Sequence, residues 1–172
     1  LERARGYVHT SSGKIVQGMK STYKRHGTVN LFAALEVATG LIRGKTTQTK
    51  KRADFQAFMD EVVADQPADR QIHVILDNLN THKKNENWLA AHPNVTFHFT
   101  PTSASWLNQV EIWFGIFQRK TLNNASFPSI DHLIAAIHAF TAAYNEKAAP
   151  FVWRKRDVRG AQLRNTIVNL CN

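Results

Sequence analysis

Apolar residues fall along the chain with two periods. From Thr28 to Ala38, Val29, Leu31, Ala33, Leu35 and Val37 alternate, and Phe32 and Ala34 occupy the opposite positions. A period of two with apolar residues on both faces predicts a strand buried on both sides. Thr39-Gly40 supplies a turn into a second strand near Leu41 to Thr47. The spacing then changes: Phe55, Phe58, Met59, Val62 and Val63 share one helical face, which predicts a helix over 53–65 ended by Pro67. Ile72 to Leu76 is a short β-branched run read as a buried strand, Trp88 to Ala91 as a short helix, and Val95 to Phe99 as another strand. Ser105 is placed to cap a helix with Val110, Trp113, Phe114 and Phe117 on its core face. Ser129 is placed to cap a last helix with Ile130, Leu133, Ile134, Ile137, Phe140 and Tyr144 facing inward. The run from Thr10 to His26, rich in Gly, Ser and Lys, reads as mildly linker-like. Strands alternating with helices predict an α/β class, a parallel or mixed sheet covered by helices, in a single domain spanning 1–172.

Charge narrows the partners. With 22 Lys and Arg against 13 Asp and Glu the net charge is +9, so a polyanion is favoured, nucleic acid before an anionic membrane surface. A hydrophobic fraction of 43% over 172 residues supports a packed core and excludes disorder of the whole chain. The lone Cys171 excludes an internal disulfide framework and a Cys-rich zinc site. No apolar run approaches the roughly 18 residues of a membrane span, and no signal-like segment is visible, so the expected setting is soluble and cytoplasmic.

The sharpest chemical feature is Val74-Ile75-Leu76-Asp77-Asn78, a carboxylate where a hydrophobic strand runs into a loop. Open α/β sheets build their sites at such strand ends. Glu111 is the second, at the edge of an apolar helical stripe and expected within reach of the Asp77 strand. Two converging carboxylates in a basic protein suggest oxygen ligands for a hard cation beside a phosphate-binding surface. Each has a plainer alternative: Asp77-Asn78 as a turn, Glu111 as a solvated helix residue. The eight histidines form no compact ligand set, and His73, His98 and His138 read as structural or surface residues. Lys45, Lys50, Lys51 and Arg52 form a basic run that is either a solvated face or a contact for DNA phosphates, and Trp106 is open to base stacking.

Two of these segments resemble a known family. Val74 through His82 and Phe99 through Phe114, including Trp106-Leu107-Asn108-Gln109-Val110-Glu111, are similar to the second and third acidic motifs of IS630 / Tc1-mariner transposases. Thirty-three residues separate Asp77 from Glu111, close to that family's usual gap. Tyr23 to Gly27, Leu31 to Gly40, Tyr144-Asn145 and Pro150 to Trp153 extend the resemblance over about 23–156. It implies a DDE enzyme with an RNase H-like mixed sheet flanked by helices, which performs metal-dependent DNA cleavage and strand transfer. Asp77 and Glu111 would be catalytic metal ligands for Mg²⁺ or Mn²⁺, two ions in the intact enzyme. Asn78, His82 and Asn108 would support the ligands or contact DNA, and Lys50, Lys51, Arg52 and Trp106 would bind DNA. Transposon ends and target DNA are the implied partners, with no membrane, a homodimer allowed, and a bacterial, nucleoid-associated setting. At Gln109 the family more often has an apolar residue or Pro. Its first catalytic Asp lies on a first, central strand upstream of the segment that Leu1-Glu2-Arg3 resembles. This chain is therefore expected to be a truncated form lacking that strand, with Glu36 and Glu2 as weak substitutes for the acid. The alternative is a non-catalytic DNA-binding or dimerising remnant of a transposase.

Overall fold

A computed structural model describes residues 1–19, 22–67, 69–101, 108–123 and 125–152. Ser105, Trp106, Cys171 and the 154–172 segment lie outside the described residues. The strands are β1 (Arg5–His9), β2 (Ile15–Met19), β3 (Asn30–Leu35), β4 (Ile42–Thr47), β5 (Ile72–Leu76) and β6 (Val95–Phe99). The helices are α1 (Arg52–Ala64), α2 (Glu86–Ala91), α3 (Val110–Phe117) and α4 (Ile130–Asn145). A 3-10 turn at Asn80–His82 follows β5, and a π-helical turn at Gln118–Leu122 extends α3.

Pairing is mixed, as the α/β reading requires. β1 and β2 are antiparallel, β3 and β4 are antiparallel, and β5 runs parallel to β6 with Leu76 opposite Phe99. Among the described residues β3 bonds only to β4 and β5 only to β6, so each keeps one open edge. The β1–β2 hairpin corrects the linker-like reading of Thr10 to His26. It closes through the Thr10 N–H to Lys14 O at 2.9 Å and a left-handed Gly13 at φ 79°.

Alternation along β3 sends side chains into two cores. Phe32 meets Phe55 and Phe58 of α1 at ring separations of 6.4 and 5.8 Å. Leu31, Ala33 and Leu35 instead join Ile42, Trp113, Phe117 and Ile137 between the β3–β4 hairpin, α3 and α4. Helices thus cover both faces of β3–β4. On β5–β6 the inward residues Ile72, Val74, Leu76, Val95 and Phe97 pack with Phe55, Met59 and Trp88. The other face stays open: His73 and His98 are exposed, joined at 3.0 Å, and Ile75 is 50% exposed. The expectation of a β5 strand buried on both sides is corrected accordingly, and β3 is half-buried along its length rather than fully buried.

Local chemistry explains the element ends. Ser129 caps α4 by accepting the His132 N–H at 3.2 Å. At the other end of α4, Asn145 receives the Ile42 N–H at 2.9 Å and donates to the Ile42 carbonyl at 2.8 Å, closing the outer edge of β4 at that residue. α3 starts at Val110, with Gln109 as its first flanking residue. Trp113 is fully buried and stacks on Phe117 at 5.5 Å, while its indole N–H finds no partner among the described residues. Among the described residues no helix is long and apolar enough to cross a membrane.

Candidate functional site

Asp77 stands one residue past β5, where the strand's last carbonyl, Leu76 O, still accepts the Thr100 N–H of the neighbouring chain end at 2.8 Å. Its Oδ1 accepts the Leu79 N–H at 3.1 Å, the geometry of an Asx turn, so the turn reading and the site reading hold together. The same Oδ1 lies 2.7 Å from His82 Nδ1. Among the described residues that ring nitrogen makes no hydrogen bond, so the contact is one of proximity. His82 packs at a tilt against Phe55, ring centroids 4.6 Å apart, with its side chain only 15% exposed. The core-facing helix α1 thereby fixes the imidazole beside Asp77. Oδ2 of Asp77 has no hydrogen-bond partner among the described residues.

Asn78 points back to the sheet and donates to the Thr100 carbonyl at 2.5 Å, tying the ends of β5 and β6 together. Glu111 is exposed in the first turn of α3, where the helix dipole favours a carboxylate. Its N–H bonds the Asn108 carbonyl at 3.0 Å. Among the described residues no hydrogen bond or ion pair joins Asp77 to Glu111. Two positions before Glu111, the half-buried Gln109 has a buried Oε1 with no hydrogen-bond partner among the described residues.

The basic run divides. Lys45 is spent on Glu61 at 2.6 Å. Lys50, Lys51 and Arg52 are exposed at the start of α1, where the Lys51 N–H is capped by Asp54 at 2.8 Å. Arg52 Nε donates to the Lys83 carbonyl at 3.1 Å, which joins the start of α1 to the loop carrying His82. Sequence reasoning missed that loop's own cations, Lys83 and Lys84, both exposed. The available signal was the run Thr81-His82-Lys83-Lys84-Asn85, which begins four positions after Asp77. Asn85, 4% exposed, holds the loop from beneath. Its amide nitrogen lies within bonding distance of the carbonyls of Thr81, His82 and Lys83, and its oxygen accepts from Gln56 at 2.9 Å. Lys84 sits at φ 57°, a left-handed conformation that costs a side-chain-bearing residue about 1–2 kcal/mol.

Carboxylate oxygens are the donors that Mg²⁺ and Mn²⁺ take. Asp77 and Glu111 have that chemistry, but among the described residues no three His, Cys, Asp or Glu side chains gather where they could hold an ion. The described residues therefore present two candidate ligands and not a complete metal site.

A sequence model of the DDE superfamily endonucleases matches residues 1–134. The chain belongs to that family. No curated protein matches the chain. A cryo-EM structure of a simian T-cell lymphotropic virus intasome in complex with PP2A regulatory subunit B56 gamma superposes with a TM-score of 0.48 at 11% identity, over 91% of this chain. The chain spans 58% of that intasome chain's length. Within this DDE superfamily endonuclease, Asp77 and Glu111 stand at the two places the sequence singled out, a strand end and a helix start.

Proposed function

We propose that this DDE superfamily endonuclease is a transposase catalytic domain of the IS630 / Tc1-mariner kind, acting on DNA phosphodiesters in transposon ends and target DNA. The observation that carries the reading is the family match across residues 1–134, which includes Asp77 at its strand end and Glu111 at the start of α3. In this proposal Asp77 and Glu111 hold divalent ions, Mg²⁺ or Mn²⁺. When bound, such ions neutralise phosphate oxygens and favour attack by water or a DNA 3′-hydroxyl. His82 positions Asp77, and Asn78 holds the strand ends on which that position depends. Asn108 precedes the helix that carries Glu111, and the cations at the start of α1 take the DNA backbone. An RNase H-like sheet, with a further strand carrying a third acid between β3 and β5, is part of the proposal. The open edges of those two strands support it, since unpaired strand edges are costly to leave uncovered. The second reading is a DNA-binding remnant without catalysis, which the net charge of +9 also suits.

The test is Mg²⁺-dependent nicking of supercoiled DNA by this chain and by the same chain extended upstream along its natural gene. Nicking by either form that disappears in Asp77→Ala and in Glu111→Ala supports the nuclease. Nicking that survives either substitution overturns the site, and DNA binding without nicking in both forms supports the remnant.

A further inference from the structure

We infer that Lys83 and Lys84 join Lys50, Lys51 and Arg52 in one phosphate-binding surface, which takes the backbone of DNA beside Asp77. The inference deepens the proposed DNA-directed function, on which it rests, by assigning a binding site on the loop that follows Asp77 and the start of α1. Thirty-one positions separate Arg52 from Lys83, yet Arg52 Nε bonds the Lys83 carbonyl at 3.1 Å and brings the two basic segments together. The bond uses backbone oxygen, so the Lys83 ammonium and the terminal nitrogens of Arg52 stay available. All five cationic residues are exposed, and among the described residues none is in an ion pair.

Of the acids of α1, Asp60 and Glu61 are engaged away from these cations, while Asp54 lies among them at the helix start. Asp54 takes the hydroxyl of Thr49 and the Lys51 N–H, Asp60 takes the Trp88 indole N–H, and Glu61 takes Lys45. Glu86, exposed at the start of α2, is the acid that follows the loop in sequence. A surface so weighted towards positive charge suits a polyanion whose charges repeat along a line.

The loop is also shaped in advance. The buried Asn85 amide gathers the Thr81, His82 and Lys83 carbonyls inward, which leaves the two lysine side chains directed to solvent. Lys84 keeps a left-handed backbone at φ 57°, where glycine would be at ease. A side-chain-bearing residue at such a position carries backbone strain, and strain of this kind gathers at ligand-binding loops. Arginine and lysine contacts to phosphate release counterions, so their number appears as the salt dependence of binding.

The experiment is fluorescence anisotropy of a labelled random-sequence duplex with the full chain, across a NaCl series without divalent metal. Lys83→Gln with Lys84→Gln should lower the magnitude of the slope of log affinity against log salt by about 2. Lys50→Gln with Lys51→Gln should do the same, whereas Lys14→Gln with Lys147→Gln should leave the slope near that of the parent chain. Lys84→Gly should lose about one unit of slope while melting no lower than the parent, which separates phosphate contact from loop integrity. A parent chain that binds while the Lys83/Lys84 pair leaves the slope unchanged overturns this surface and spares the DNA reading, as does an equal loss in the Lys14/Lys147 pair. A parent chain with no salt-dependent binding overturns both.

Discussion

His82 Nδ1 stands 2.7 Å from Asp77 Oδ1 while its ring lies 4.6 Å from that of Phe55, so a core side chain determines where the loop carboxylate can go. Groups that orient a metal-ligating side chain typically contribute a factor of about 10–100 in activity or metal affinity. In the proposed nuclease His82→Ala should therefore reduce Mg²⁺-dependent nicking by about that factor, whereas Asp77→Ala should abolish it. Phe55→Leu, which removes the ring beneath the imidazole, should produce a smaller loss in the same direction. Full activity in His82→Ala would remove its positioning role.

Asn85 is the polar centre of the Asp77 loop. Its side chain is 4% exposed and spans the loop carbonyls and Gln56. Truncation to alanine strands those groups away from water, at a cost of about 1–3 kcal/mol. Denaturant unfolding of Asn85→Ala should show that loss. An unchanged midpoint would mean that water reaches the loop and replaces the amide.

Gly40 closes the β3–β4 hairpin at φ 78°, and a Cβ there would come within 2.1 Å of the Ala149 carbonyl oxygen. Gly40→Ala must adopt a left-handed conformation and also displace the chain that follows α4, so a loss above about 2 kcal/mol is expected. The Asn145 contacts to Ile42 lie beside this approach. Backbone exchange at Ile42 should rise in Gly40→Ala, and protection equal to the parent's would contradict the account.

Acid should loosen the start of α1 through Asp54. The Thr49 hydroxyl and then the Lys51 N–H hold its carboxyl below the usual 3.8. A carboxyl depressed in the folded chain binds its proton more readily when unfolded, so its contribution is complete above pH 3.8 and is lost as pH falls through the lower folded value. The stability difference between the parent and Asp54→Asn should stay constant at neutral pH and shrink only below that point. A difference that changes between pH 5 and 7, on the order of one or two pH units above the ordinary carboxylate range, would exclude Asp54 as its source.

Most of the framework was legible because packing follows the apolar period. Phe55, Phe58 and Met59 are buried on α1 as their spacing requires, Trp113 and Phe117 fill the core beneath α3, and Ser129 caps α4. The β1–β2 hairpin was not legible, because Tyr7, Ile15 and Val16 are exposed and no buried face imposes an alternation. The open face of β5–β6 escaped for a related reason: Ile75 is apolar but nothing described covers it. Of the candidate site, Asp77 and Glu111 were readable from strand end and helix start. Lys83 and Lys84 were not, since only the bond from Arg52 to the Lys83 carbonyl reveals that two distant basic segments meet.

The central claim is that Asp77 and Glu111 serve the same metal ions, and paramagnetic broadening of backbone amide signals by substoichiometric Mn²⁺ tests it most directly. The account predicts that the amides around Asp77 and those around Glu111 broaden together, and that Asp77→Asn removes the effect at both. Broadening at one segment alone, or an effect at Glu111 that survives Asp77→Asn, would contradict it.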